Sequence, residues 1–587
     1  DFFCTYWLSF GKLLVEMESI GVPVDKARLE ILAESAASRQ RDLENEFRNW
    51  ARVRLERTHG KVAVEGSNID LMNLNSTTQL RQLFFGCPQS GHVEFSGVQS
   101  LECLDGDVTD EPIINRSGSG DGRRTKEELY GMTVKNLKHE CKLRSLSQDG
   151  KKDDLIKRIL DRQFEELFSK TLNELRLICK QGRLKLGGTK VELVDRILDP
   201  SQQARRQKSP PRLKVRLHGL GIVPVKGYTT KNRAPSVSAE ALKAMIDERC
   251  DELGRDGMKA IEVLLQIVEV EAALSGFIQP LQKALHSDGR VRPCLNINTE
   301  TGRLSCRNPN LQNLPVGGTF PVRNAFVASE KHSFIIADYA QLELRVVAQL
   351  ADCETMMKIL NSGQDIHSWT AYEMFDHIRS AVDSNKVLLS GSSRSTQSPL
   401  VKDVYPDERR QAKTLNFGVL YGMSAHTLAK EWSMTSHQSK AFIDKWFAAF
   451  PAIKAWKSCV ESSDGAEGVQ TLLGRRRPLR DLDSSTNRLR GHARRAAVNT
   501  PVQGGAADIV ISAMLRLRES PVLQRLKYRQ ILQIHDEVIL EGPELHAEEA
   551  LKEVVQIMEN PFAGQSLPFE MKVKLRVDAR QAKAWRE

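Results

Sequence analysis

Apolar residues along this chain follow three patterns, and each predicts a different kind of structure. Near the start, Leu13, Leu14, Met17 and Ile20 recur at helical steps within a helical stretch spanning residues 10–50. Gly21-Val22-Pro23-Val24-Asp25 interrupts that stretch with a turn, and Asp25 suits the cap of the helix that resumes. A second helical start lies at Asn75-Ser76-Thr77, running into Leu80-Arg81-Gln82-Leu83. The second pattern is a short unbroken apolar run, seen at Phe334-Ile335-Ile336-Ala337, at Ile531-Leu532-Gln533-Ile534 and at Val538-Ile539-Leu540. Runs of β-formers of this length predict buried strands. The first run gives way to a helical pattern. The other two flank His535-Asp536-Glu537, which predicts a hairpin with these three residues at its tip.

The third pattern is repetition. Thr133-Val-Lys-Asn-Leu137 matches Thr171-Leu-Asn-Glu-Leu175, and the register holds without gaps at an offset of 38 residues. It pairs Cys141 with Cys179, Leu146 with Leu184, Gly150 with Gly188, Lys152 with Lys190, Leu155 with Leu193 and Ile159 with Ile197. Each unit reads as two short amphipathic helices around a tight glycine-containing turn, and two copies are too few for a solenoid. The repeat is bracketed by low-complexity chain. Residues 86–124 are rich in Gly, Ser and Asp and end in Ser117-Gly118-Ser119-Gly120-Asp121-Gly122, a linker composition. After the repeat come Arg205, Arg206, Lys208, Arg212, Lys214 and Arg216, with no acid between Asp199 and Lys226. Pro210 and Pro211 keep this basic stretch from being helical, so it reads as a polyanion-binding linker or a plain solvated one. Residues 390–395 read as a surface loop.

Composition narrows the classes. At roughly 150 residues per domain, 587 residues suggest about four domain-sized units. With 40% hydrophobic and 27% charged residues the chain is neither wholly disordered nor a polytopic membrane protein. No stretch approaches the roughly 18 to 20 apolar residues of a membrane span. The net charge of +10 fits a polyanionic partner without requiring one. Ten cysteines are scattered with no C-x-x-C, which excludes zinc-knuckle spacing and predicts reduced thiols in an intracellular protein. The chain opens at Asp1, and no signal or transit pattern follows.

Three segments carry chemistry. In Phe334-Ile335-Ile336-Ala337-Asp338-Tyr339-Ala340-Gln341-Leu342-Glu343, a strand ends at an acid where a hard cation could bind, and Glu343 falls in the helix that follows. Asp338 as a simple helix cap is the plainer alternative. In Arg409-Arg410-Gln411-Ala412-Lys413-Thr414-Leu415-Asn416-Phe417-Gly418-Val419-Leu420-Tyr421-Gly422, four-residue spacing stacks Arg409, Lys413 and Phe417 on one helix face, with Tyr421 near the same side. Two cations a turn apart suit a triphosphate, and an aromatic beyond them suits a base. A solvated basic face is the commoner origin of R-x3-K alone. In the hairpin, acids clustered between two hydrophobic strands are tolerable where a cation or solvent meets them. Taken together, Asp338 and Asp536 on neighbouring strands would hold two magnesium ions about 4 Å apart, one activating a 3′-hydroxyl and one neutralising a leaving pyrophosphate. Arg409 and Lys413 would grip the triphosphate in an in-line phosphoryl transfer.

These segments resemble motifs A, B and C of family A DNA polymerases, and further segments match in order: Thr301-Gly302-Arg303-Leu304-Ser305, Pro309-Asn310-Leu311-Gln312-Asn313, Asp365-Ile366-His367-Ser368, Leu473-Gly474-Arg475-Arg476-Arg477 and Arg495-Ala496-Ala497-Val498-Asn499-Thr500-Pro501-Val502-Gln503-Gly504. The likeness is dense over 241–587 and looser over 10–85. Asn75 to Gly86 looks most like the plant and protist organellar branch, and the 38-residue repeat resembles tandem SAP motifs, whose relatives bind DNA.

The resemblance implies an α+β right hand of palm, fingers and thumb, with an antiparallel palm sheet and a small helical insert. It implies a DNA-directed DNA polymerase acting on primed template DNA and deoxynucleoside triphosphates, in an organelle, with two Mg2+ or substituting Mn2+. Asp338 and Asp536 would bind metal with the Tyr339 carbonyl assisting, and Glu343 would be the gate against a ribose 2′-hydroxyl. Arg409, Lys413 and His367 would contact the triphosphate, Phe417 and Tyr421 would shape the base-pair pocket, and Gln341 would belong to the same nucleotide site. Arg303, Arg495, Asn499 and Gln503 would track the DNA near the primer end, while His535 and Glu537 would support the primer terminus and metals. The expected division is 1–86 N-terminal part and thumb, 87–217 insert with repeats at 133–161 and 171–199, 218–290 rest of thumb, 291–354 palm, 355–490 fingers and 491–587 palm.

Two departures from the family pattern stand out. The chain begins just before the thumb, so a proofreading exonuclease is not expected in it. The insert interrupts the thumb, where a phage relative docks a processivity factor, so duplex DNA or an accessory factor is its expected partner. A single-subunit RNA polymerase and a non-catalytic DNA-binding scaffold are the competing functions. Glu343 and the His-Asp-Glu triplet argue against the first, and the intact Asp338, Asp536, Arg409 and Lys413 against the second.

Overall fold

The computed structural model describes residues 2–60, 69–86, 93–97, 129, 132–143, 146–147, 149, 151–168, 170–181, 190–198, 213–217, 219–230, 234–389, 398–565, 567 and 569–586. The glycine-serine linker from residue 87, the basic stretch through Arg212, the loop at 390–395, and Gly150, Leu184 and Gly188 of the repeat lie outside the described residues. The chain forms two compact units, residues 1–43 with 266–587, and residues 44–265. The elements used below are helices α1 (Leu8–Ile20), α2 (Lys26–His59), α3 (Thr77–Phe85), α4 (Val134–Leu143), α5 (Lys152–Phe168), α6 (Leu172–Gln181), α7 (Lys190–Leu198), α8 (Leu342–Leu350), α9 (Ile366–Met374), α10 (Pro406–Leu420), α11 (Asn487–Glu519) and α12 (Ala547–Glu559). The strands are β1 (Val93–Gly97), β2 (Leu213–Leu217), β3 (His332–Tyr339), β4 (Arg529–Ile534), β5 (Glu537–Pro543) and β6 (Val577–Ala582).

The first unit is built on an antiparallel sheet of order β4-β5-β3-β6. Side chains alternate across a strand, so Ile335, Ala337 and Tyr339 of β3 share one face with their register partners Val538 and Leu540 of β5. That face packs on Ile509, Val510, Ala513 and Met514 of α11, Ala550, Val554 and Met558 of α12, and Phe10, Leu14 and Met17 of α1. Asp338 belongs to the opposite face. As expected, α1 gives way to a turn at Gly21, and Asp25 caps α2 by accepting from the Arg28 backbone N–H at 3.1 Å.

Two close approaches fix the frame around the sheet. On α11 a Cβ at Gly505 would sit 2.9 Å from Val346 Cγ1, so its lack of a side chain lets α8 and α11 meet. Asp508, fully buried on the same helix, accepts from Arg475 Nε at 2.8 Å and from the Leu473 backbone N–H at 2.9 Å. Arg475 also donates to the carbonyls of Thr301 and Gly504, so this buried charge pair is saturated rather than stranded. Gly302 has φ +79°, and a Cβ there would fall 2.0 Å from Arg475 Nη1. The Thr301-Gly302-Arg303 segment is thereby held in place against α11.

In the second unit Ser76 caps α3, accepting from the Gln79 backbone N–H. Strands β1 and β2 pair antiparallel, with Gly97 opposite Leu213 and Val93 opposite Leu217. The repeat forms the four predicted helices, α4 to α7, and each copy closes its own core. Leu129, Leu137, Cys141, Leu155, Ile156 and Ile159 pack in the first copy. Leu167, Leu175, Cys179, Leu193, Val194 and the half-buried Ile197 pack in the second, each 38 positions on. Thr133 and Thr171 cap the first helices, accepting from the N–H groups of Asn136 and Glu174. The helix that closes the first copy runs past that copy's end at 161. Helix α5 runs on to Phe168, because Leu167 already belongs to the second core.

Candidate active site

Asp338, the penultimate residue of β3, lies directly opposite Glu537 of β5 on one side and Asp578 of β6 on the other. Paired residues in adjacent strands share a face, so three carboxylates stand abreast. The β4–β5 hairpin turns in two residues, His535 and Asp536, and His535 takes the left-handed φ of 53° that this tight reversal needs. The Asp536 carbonyl accepts the Tyr339 N–H at 3.2 Å, which seats the hairpin tip beside the end of β3. Burial, Glu537 and Asp578 push the Asp338 carboxyl up to about 6. Burial pushes Asp536 up to about 7, against the pull of Arg303 and with the help of Glu343 and Asp338. Charge is therefore costly here until a cation arrives.

Helix α8 begins after Gln341, whose φ of 55° breaks the strand direction. That places Glu343 in the first helical turn. Its carboxylate accepts hydrogen bonds from Arg303 Nη2 and from the Tyr421 hydroxyl. Burial and Glu343 together raise the Tyr421 phenol far above its usual range. Tyr421 stacks on Phe417 with ring centroids 6.5 Å apart, and Phe417 lies 5.9 Å from the His367 ring. Arg303, Glu343, Tyr421, Phe417 and His367 thus form one continuous chain of contacts.

Arg409 and Lys413 lie one turn apart on α10, Lys413 exposed and Arg409 half-buried. Arg409 is engaged by Asp365 through Nε at 2.6 Å and Nη2 at 3.2 Å. Asp365 also caps α9, accepting from the His367 N–H and the Ser368 hydroxyl. Burial works against its charge, but Arg409 and Ser368 outweigh that and keep the carboxyl below its usual range. His367 is enclosed, 3% exposed, and burial lowers its ring to about 4, so it is neutral near pH 7. Asn416 decides its tautomer. The Asn416 carbonyl accepts from Trp446 Nε1 at 2.7 Å and from the Thr370 hydroxyl, so its amide group donates to His367 Nδ1 and leaves the proton on Nε2.

Arg495, Asn499 and Gln503 follow at four-residue steps along α11. Arg495 is exposed, Gln503 hydrogen-bonds toward Tyr421, and Asn499 Oδ1 is buried with no partner among the described residues. His535 is exposed beside Arg303. All sixteen residues expected from the sequence lie in the first unit, around the open end of the sheet and the adjoining faces of α8, α10 and α11. Sequence reasoning missed Asp365 and Asn416 as site members, and Asp578 altogether. Asn416 carried a signal, a lone amide in line with apolar Ala412, Leu415 and Val419 on the buried face of α10. Asp578 carried none, because only the pairing of β6 with β3 brings it to Asp338.

Two carboxylates and a backbone carbonyl meet the donor chemistry of a hard divalent cation, which keeps several sites for water and phosphate oxygens. Among the described residues, no group of three or more His, Cys, Asp and Glu is arranged to hold a metal ion. No described helix is long and apolar enough to cross a membrane.

A family model described as DNA polymerase family A matches residues 177–387 and 391–587, and a SAP domain model matches 131–162. The chain is 34% identical to "DNA polymerase I A, chloroplastic/mitochondrial" of Arabidopsis thaliana over 598 residues, covering all of this chain and 51% of that protein. It is 37% identical to "DNA polymerase I, thermostable" of Thermus aquaticus over 369 residues, 62% of this chain and 40% of that one. Its fold is similar to the POL domain of Pol1 from M. smegmatis, solved with DNA primer-template and dNTP, at TM-score 0.62 and 22% identity, covering 99% of this chain and 70% of that one. The chain spans about half the length of the plant relatives it matches.

Proposed function

This chain belongs to DNA polymerase family A, and from that premise we propose that it copies a DNA template by adding deoxynucleoside triphosphates to a primer 3′-hydroxyl. The observation that carries this is the meeting of Asp338 and Asp536 at the sheet end beside the Arg303–Glu343–Tyr421 network. The family is metal-dependent. The finer reading is two magnesium ions, replaceable by manganese, with Asp338, Asp536 and the Tyr339 carbonyl as the protein donors. Bound there, such ions would make the 3′-hydroxyl a better nucleophile and take up the charge of the leaving pyrophosphate.

The chain's own residues do the rest. Arg409 and Lys413 hold the triphosphate, with neutral His367 donating its Nε2 proton to a phosphate oxygen. Phe417 stacks beside the incoming sugar and base. Glu343, fixed from two sides, fills the space a ribose 2′-hydroxyl would need. Tyr421, Arg495, Asn499, Gln503, Arg303 and His535 line the template and primer, and Gln341 sets the entry of α8. In this reading residues 291–354 and 491–587 are the palm, 355–490 the fingers, and 1–86 with 218–290 the thumb. The 87–217 insert holds duplex DNA or an accessory factor. The plant relatives' names support action in a plastid or mitochondrion.

The test is primer extension with magnesium, offering deoxynucleotides or ribonucleotides to the unsubstituted chain, Asp536→Ala and Glu343→Ala. Extension with deoxynucleotides alone, lost in Asp536→Ala and relaxed toward ribonucleotides in Glu343→Ala, is the expected outcome. Ribonucleotide extension by the unsubstituted chain points to an RNA polymerase. DNA binding without extension points to a scaffold.

A further inference from the structure

We propose that Trp585 is a positioning residue for Glu537, fixing that carboxylate beside Asp338 through its indole N–H; the inference rests on the polymerase reading above. Glu537 is the first residue of β5 and the register partner of Asp338. It also lies next to Asp536, so its orientation sets the charge that both metal-binding carboxylates meet. A half-buried glutamate with three rotatable bonds does not hold one orientation by itself. Here Glu537 Oε1 accepts from Trp585 Nε1 at 2.9 Å.

The donor is held on several sides. Trp585 is 1% exposed. The Phe326 ring meets it edge-on at 5.3 Å and 89°, and the Arg323 guanidinium lies 4.4 Å from its ring centroid. Arg323 is itself tied to the Leu314 carbonyl by two hydrogen bonds of 3.1 and 2.8 Å. The Trp585 backbone N–H donates to the Phe326 carbonyl at 3.0 Å, and Arg580 Nη2 donates to the Trp585 carbonyl at 2.6 Å. Just before it the Ala328 N–H donates to the Lys583 carbonyl at 2.9 Å, and Val327 bridges Ala584. Backbone, ring face and ring edge are all held, so the one proton an indole can donate points in a fixed direction. A buried indole N–H needs a partner, and a backbone carbonyl would satisfy it as well. That the partner is the carboxylate abreast of Asp338 makes the contact charge-assisted, directional and tied to the reacting end of the sheet.

The experiment is single-turnover primer extension by the full chain carrying Trp585→Phe, alone and combined with Glu537→Ala. Trp585→Phe is expected to slow extension about tenfold, the worth of a hydrogen bond to a charged group, with KM for deoxynucleotide unmoved. In the Glu537→Ala background the same change is expected to cost nothing further. Should Trp585→Phe fail to fold, judged by its melting curve, β-(3-benzothienyl)alanine at position 585 keeps the shape and removes only the N–H. Equal cost of the Trp585 change with and without Glu537 overturns the inference, because packing alone would act additively. Full activity in the benzothienyl form overturns it as well. Absence of extension by the unsubstituted chain overturns the polymerase reading and this inference with it.

Discussion

A residue-scale consequence follows from the charge at Asp338 and Asp536. Both carboxyls titrate above the ordinary 3.8, at about 6 and about 7, because the folded chain buries them and sets them against other acids. The folded state therefore holds protons that the unfolded chain has released, and metal-free stability declines as pH rises from about 4 toward 7. Asparagine mimics the protonated form. Metal-free Asp536→Asn is expected to melt like the unsubstituted chain near pH 4 and higher at pH 8, by roughly 2 °C or more, and calorimetry across pH reads it. A melting difference that does not change with pH would refute the account. A second residue-scale prediction concerns Asp365. It occupies Nε and Nη2 of Arg409 and so aims the rest of the guanidinium. Asp365→Asn is expected to raise KM for deoxynucleotide about tenfold with a smaller change in kcat, as for a lost charge-assisted bond. Steady-state extension rates at varied nucleotide concentration decide it.

Single elements show what the sequence could carry and what it could not. The hairpin tip, the strand ending at Asp338 and the helical face of Arg409, Lys413 and Phe417 were legible because each is encoded within some ten residues of local pattern. Family motifs then brought Arg303, Asn499 and Gln503 into view. What stayed hidden depends on pairing across the chain. Asp578 reaches Asp338 only through the β6–β3 register, and Trp585 reaches Glu537 only because 584–585 zips onto 326–327. The extension of α5 to Phe168 was hidden for a similar reason, since Leu167 is called into the second core by tertiary contact. Separate cores make a prediction at this scale. Leu175→Ala leaves a cavity among Leu167, Cys179 and Leu193, and is expected to destabilise the second copy by about 2–5 kcal/mol. Hydrogen exchange of α4 should remain protected while that of α6 and α7 accelerates. Simultaneous loss in all four helices would show one shared core instead.

For the whole molecule, the insert is the feature with most to explain. The tandem copies and the basic stretch suit a phosphate backbone, whose binding weakens as salt rises. Because Gly97 faces Leu213 across the ribbon, replacing residues 98–212 by a two-residue turn leaves both strands paired. That deletion is expected to shorten the product made per binding event and to flatten the salt dependence of extension, with single-nucleotide addition retained. Unchanged product length would remove the insert from DNA holding. The same ribbon has a wider meaning. The chain leaves β1 and returns to β2 at neighbouring points about 5 Å apart, the spacing of paired Cα atoms in a ladder. Whatever lies between those points meets a single geometric condition, that its two ends come together. Such a doorway lets a lineage, or an engineer, trade one cargo for another of any length while the machinery on which it is mounted stays unaltered.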